Sequence, residues 1–156
     1  MIIQRWQSLL LLIAAVMMAC FGFISLGQVQ TPDYTLNFTS MGFYYEGEAT
    51  AGGFSGCMLH SWYFFILNIL CIVMPLLDIF LFHNLPLQKR VCLISLLFII
   101  ADIAVAAAYG YFSLEGYTVS WSTNAMTSII ALVAAIMAYN CMQRDYKKLR
   151  SIDRIR

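Results

Sequence analysis

With 62% apolar residues, 11% charged residues and a mean hydropathy of +0.78 over 156 residues, the chain is too apolar for an ordinary water-soluble domain. It reads as an integral membrane protein, and the placement of its charges says more than their net value of +1. Four apolar runs, about 8–26, 59–82, 91–112 and 123–142, each approach the roughly 20 residues that cross a hydrocarbon core. The expected fold is therefore an all-α four-transmembrane-helix bundle, a single membrane domain over 1–156.

At the amino end, Gln4, Arg5, Trp6 and Gln7 precede the first run, and Trp6 and Arg5 suit an interfacial anchor and a headgroup contact. Ala19-Cys20 loosely resembles a lipoprotein signal. Met17 and Met18 stand where that pattern wants leucine and a small residue, so a retained anchor helix is expected. The outer loop, 28–58, is the one sizeable segment between runs. Thr31-Pro32-Asp33 is turn chemistry, after which Tyr34, Leu36 and Phe38 alternate with Thr35, Asn37 and Thr39 as in a half-buried strand. Met41 to Glu46 suits a second strand, and Gly47 to Gly56 reads as loop. A lone hairpin is marginal in water, so a third strand is expected from Tyr117 to Trp121. The result is a small extracytoplasmic β-sheet cap, acidic through Asp33, Glu46, Glu48 and Glu115.

The second run carries Asn68 near its middle, then Pro75, Asp78 and His83. Pro75 removes a backbone donor and predicts a kink or local loosening. The short link His83 to Arg90 forces an antiparallel hairpin with the third run. There Asp102 lies roughly 16 Å in, at about 1.5 Å per residue, near the midplane. A carboxylate at that depth is expensive unless protonated, paired or wetted, so another run must face it. Counting from the outer ends of the two helices puts Asn68 and Asp102 at one level. Ala104 with Ala108, and Ala106 with Gly110, are small pairs four apart that let another helix approach closely. The fourth run has Ala131, Ala134, Ala135 and Ala138 along its length. Its tail, 143–156, spaces Leu149, Ile152 and Ile155 at helical intervals among basic residues, the pattern of a cytoplasmic amphipathic C-terminal helix.

Orientation follows from the nine basic residues, Arg5, Lys89, Arg90, Arg144, Lys147, Lys148, Arg150, Arg154 and Arg156. All precede the first run, join the second to the third, or follow the fourth. The positive-inside rule then makes both termini and the 82–91 link cytoplasmic.

Asn68 with Asp102 is the sharpest constellation: either a midplane site for a proton or cation, or a hydrogen-bonded fastener between two helices. Asp78 lies nearer the cytoplasmic boundary, within reach of Arg5, Arg90 and Arg144, and an ion pair closing the inner end of the bundle is expected. Cys57 and His60 have the spacing of half a metal site, but no second pair of ligands stands outside, so no metal is expected. The five cysteines include no CxxC, and Cys57 alone lies on the outer side, which argues against thiol oxidoreductase chemistry and a disulfide-pinned outer loop. Six basic residues in the last thirteen suit anionic lipid or a docked partner, and no pattern supports nucleic acid.

The opening MIIQRWQS, the link LPLQKRVC and the terminal RDYKKLRSIDRIR resemble three signatures of a family of small four-span integral membrane proteins from Bacteroidetes, known only as a domain of unknown function. The resemblance implies a bacterial inner-membrane location and no established activity, cofactor or catalytic residue. Its signatures, around Gln4, Arg5, Gln88, Arg90, Arg150, Asp153 and Arg154, fall on one face of the membrane, where a partner can read them. The expectation is a non-enzymatic subunit or accessory factor of a larger membrane assembly, partnered by lipid, by another membrane protein or by a second copy, and without a cofactor. The alternative is a small oligomeric transporter or proton-coupled channel using Asp102.

Overall fold

The structure is a computed structural model and describes residues 2–31, 34–46, 56–81, 84–112 and 119–153, with side chains except those of 2–5, 46, 58 and 149–153. Four helices dominate it: α1 (Ile2–Phe23), α2 (Trp62–Phe80), α3 (Leu85–Phe112) and α4 (Thr127–Asp153), the last entered through a 3₁₀ turn at Thr123–Met126. Each is long and apolar enough to cross a membrane. They form a ring in which α1 and α3 each pack on both α2 and α4, an up-and-down bundle. Ala14 and Ala15 on α1 and Ala131, Ala134, Ala135 and Ala138 on α4 are buried, small side chains that let helix backbones come close.

On α2 the buried residues are Phe64, Asn68, Cys71, Pro75 and Asp78, and on α3 they are Gln88, Cys92, Ser95, Ile99, Asp102, Ala106 and Gly110. Steps of three and four put each set on one stripe. The opposite faces are apolar: Leu12 and Val16, Val73 and Leu77, Leu97 and Ile100, Ile129 and Val133 are all exposed. A water-soluble bundle has the reverse arrangement. Asn84 opens α3, its carbonyl accepting from Leu87 and Gln88 N–H at 3.0 and 2.9 Å. Pro86, one residue into the helix, sits where a missing N–H leaves no bond unmade.

A five-stranded antiparallel sheet occupies one end, with strands β1 (Gly27–Gln30), β2 (Thr35–Thr39), β3 (Gly42–Glu46), β4 (Cys57–His60) and β5 (Ser120–Trp121) in the order β4-β3-β2-β1-β5. Its buried face, Val29, Leu36, Phe38 and Phe43, meets the helices through an aromatic stack. Phe38 lies 4.7 Å from Phe43 and 6.1 Å from Phe64, which in turn contacts Phe21 and Tyr109. Gly42 holds φ +132°, and a Cβ there would overlap the Leu59 carbonyl, so glycine is required where β3 meets β4. The helix ends are tied to this sheet directly. Leu26 N–H donates to Phe38 O at 2.7 Å, Ser122 N–H to Leu26 O at 2.8 Å and Ser61 N–H to Met41 O at 3.0 Å. Asn124 donates its side-chain amide to the carbonyls of Cys20 and Ile24, satisfying last-turn acceptors of α1.

The hairpin of β2 and β3 matches the alternation in the sequence, and a strand does come from the third loop. That strand is only Ser120–Trp121, and it pairs with β1 rather than with the hairpin. Two strands lie inside segments read from sequence as apolar runs or loop ends. β1 begins one residue after the first run, and β4 takes Cys57–His60, so α2 begins at Trp62 rather than Leu59. The loop reading of 47–56 falls almost wholly outside the described residues. Along the carboxyl end α4 continues without a break to Asp153, so the segment beyond 142 is helical to that point.

Candidate functional site

The stripes of α2 and α3 carry five of the buried polar side chains, Asn68, Asp78, Gln88, Ser95 and Asp102, along the seam between the two helices. Asn68 and Asp102, at 1% and 0% exposed, face each other as their depths in sequence require, and Asn68 Nδ2 donates to Asp102 Oδ2 at 3.2 Å. The same amide nitrogen reaches Met18 O on α1 at 3.4 Å, so one side chain links three helices. Gly22 makes that possible, because a Cβ on it would overlap Asn68 Oδ1. Asp102 Oδ1 and Asn68 Oδ1 have no hydrogen-bond partner. Cys71 lies close enough to Asp102 for the two to interact electrostatically.

Further along α2, away from the sheet, Asp78 is fully buried with neither carboxylate oxygen hydrogen-bonded. The Cys92 thiol lies beside it, close enough for the two to interact, and donates to Ala135 O at 4.0 Å. Gln88 Nε2 donates to the backbone carbonyl of Asp78 at 3.3 Å. Ser95, between the levels of the two carboxylates, is buried with its Oγ unpartnered. The expected ion pair of Asp78 with Arg90 and Arg144 does not form, since both arginines are exposed. The cause is helical phase. Arg90 follows buried Gln88 by two residues, and Arg144 follows buried Met142 by two, a turn of about 200° that sends each away from the interior. The side chains of Arg5, Arg150 and Asp153, and Arg154 altogether, lie outside the described residues.

At the end of the bundle away from the sheet, Gln7 Nε2 donates to Asp145 Oδ2, joining α1 to α4. Lys89 sits over the rings of Tyr139 and Tyr146, 5.9 and 5.5 Å from their centroids, joining α3 to α4. Neither contact was marked in the sequence, nor was the place of Gln88, Cys92 and Ser95 in the seam. For those three the signal was available: they precede Asp102 by fourteen, ten and seven residues, positions that share its helix face.

Cys57 and His60 lie on β4, where His60 packs on Tyr44 and Trp62 at 6.4 and 5.8 Å. Burial first, and then Cys57 beside it, hold the Tyr44 phenol above its ordinary value. Among the described residues no three His, Cys, Asp or Glu side chains gather as a metal site requires. All five cysteines are free.

The site thus holds hydrogen-bonding oxygens, two carboxyls and the thiols of Cys71 and Cys92. Comparison with known proteins agrees with the resemblance carried by the chain's three polar segments. No curated protein matches the chain. The family model described as Domain of unknown function (DUF4293) matches residues 3–155, essentially the whole chain, and the protein therefore belongs to that family.

Proposed function

We propose that the protein is a multi-pass inner-membrane protein, with both termini and the α2–α3 link cytoplasmic, that serves as a non-catalytic subunit or accessory factor of a larger membrane assembly. The orientation rests on the basic residues, of which Lys89 and Arg90 begin α3 and Arg144, Lys147 and Lys148 lie in the last part of α4. The outward apolar faces of all four helices suit lipid.

One observation carries the subunit reading. Of the two small pairs on α3, Ala106 and Gly110 are buried within the bundle, Gly110 against Trp121, whereas Ala104 and Ala108 are exposed, with Ala107 beside them. On the other helices the outward positions at mid-length are filled by Leu, Ile, Val or Met. An apolar cleft of about 250 Å³, lined by Ile103, Ala106, Ala107, Ala125 and Ile129 among others, continues this surface between α3 and α4. Lipid gains little from such a smooth face, but a partner helix can bring its backbone against it. Ala104→Leu with Ala108→Leu is expected to abolish co-purification of a defined partner from gently solubilised membranes while leaving the monomer folded. Purification of the wild type only as a lone species, with no neighbour captured from Ala107→Cys by crosslinking in intact membranes, would overturn the reading.

A second reading, a small oligomeric transporter or proton-coupled channel, is favoured by one specific feature, the buried and unpartnered Oδ1 of Asp102. Asp102→Asn is expected to abolish any flux the reconstituted protein supports; unchanged flux would dismiss it.

A further inference from the structure

Among the described residues, the buried side-chain polar atoms without a hydrogen-bond partner are Asn68 Oδ1, Asp102 Oδ1, Ser95 Oγ and both carboxylate oxygens of Asp78. All five are oxygens, and all belong to the α2–α3 seam. Pro75 lies on the same stripe. Having no N–H, it withdraws the donor that the Cys71 carbonyl would receive in an unbroken helix. At about 1.5 Å per residue, Asn68 and Asp78 are roughly 15 Å apart along α2, with Ser95 and the Cys71 carbonyl at intermediate levels. Buried oxygens are normally satisfied, and a row confined to one seam calls for donors along its whole length.

Among the described residues no cation faces that row. The buried face of α1 is Gln7, Leu11, Ala14, Ala15, Met18 and Phe21, and that of α4 is Ser128, Ala131, Ala134, Ala135, Ala138 and Met142. On α2 and α3 the titratable neighbours are Cys71 near Asp102 and Cys92 near Asp78. Lys89 and Arg90 begin α3 but point away, Lys89 to the tyrosine rings and Arg90 to the exterior. What fits an oxygen-only row with no facing cation is protons on the carboxyls and water between them.

We propose that the α2–α3 seam is a hydrated proton path, gated at its far end by Gln88, along which Asp78 and Asp102 exchange protons by way of water near Ser95 and the Cys71 carbonyl. In each passage Asp102 releases its carboxyl proton to the adjoining water, a proton leaves the other end of the water row for an oxygen of Asp78, and the proton Asp78 held passes to the aqueous phase; the same steps in reverse return a proton to Asp102. No electrons move. Gln88, its amide across the seam on the Asp78 carbonyl, is the entrance residue. The path ends at Asp102 because Asn68, Gly22 and the aromatic stack close the seam towards the sheet. This inference holds whether or not the chain has a partner, so its test is independent of the subunit reading.

The experiment is carboxyl infrared difference spectroscopy of the full-length protein in lipid, following hydrogen–deuterium exchange in wild type, Asp78→Asn, Asp102→Asn and Gln88→Ala. Two protonated carboxyl bands are expected, one lost in each aspartate variant. The Asp102 band should exchange more slowly by roughly tenfold or more in Asp78→Asn, the loss expected when a positioned proton-transfer group is removed. Gln88→Ala, which keeps both carboxyls, should accelerate exchange of both bands. An Asp102 band that exchanges at the wild-type rate in Asp78→Asn would overturn the proposal, as would the absence of protonated carboxyl bands from the wild type. Gln88→Ala leaving both rates unchanged would equally overturn the assigned entrance.

Discussion

The two ends of the bundle are held by different kinds of bond. At the sheet end the chain between helices is fastened main chain to main chain, as Leu26 is to Phe38, Ser122 to Leu26 and Ser61 to Met41. At the other end the contacts between helices run through side chains: Gln7 with Asp145, Gln88 with the Asp78 carbonyl, Lys89 over two tyrosine rings. A sheet in register gives way as a unit, whereas side-chain contacts release one at a time. The lesson is that the sheet end is held by one hydrogen-bonded register, whereas the end with the basic residues, where Gln88 meets the seam, is held by separate side-chain contacts.

Substitutions can break or sharpen that contrast. Phe38→Ala removes the ring that touches Phe43, Phe64 and Trp121 and is expected to lower unfolding free energy in detergent by about 3–5 kcal/mol. Gly22→Leu, which drives a side chain into Asn68, should cost about 1–3 kcal/mol and shift the infrared band of Asp102. Asn124→Ala, by removing the amide that bonds the Cys20 and Ile24 carbonyls, should cost about 1 kcal/mol, read by denaturant titration. For Asn68→Ala about 0.6 kcal/mol is expected, the usual size of a hydrogen bond between membrane helices. Smallest is Lys89→Ala, about 0.5 kcal/mol, visible mainly as faster amide exchange in α4 near Tyr146. If Lys89→Ala proved as damaging as Phe38→Ala, the two ends would be equally fixed and the contrast would fail.

How far the sequence reaches differs along the chain for physical reasons. Apolar length announces the four helices, and depth counting from their ends brings Asn68 to Asp102, because a helix advances by a constant rise. The same counting fails for Asp78. Its expected arginines were chosen by level alone, while the angular position that turns Arg90 and Arg144 outward depends on where α3 and α4 present their buried stripes. β1 and β4 escape notice because Gly27–Gln30 and Cys57–His60 are too short to show alternation and abut apolar runs. Asn124 gives no local sign at all, since its partners on α1 lie about a hundred residues earlier.

That last contact sets an order of assembly. α1 leaves the ribosome before α2, α3 and α4, yet the Asn124 contacts at its end, and the pairing of β1 with Ser120 and Trp121, wait until the lead-in to α4 has been made. A nascent chain stopped before residue 120 would carry α1, α2 and α3 with that end of α1 unfinished.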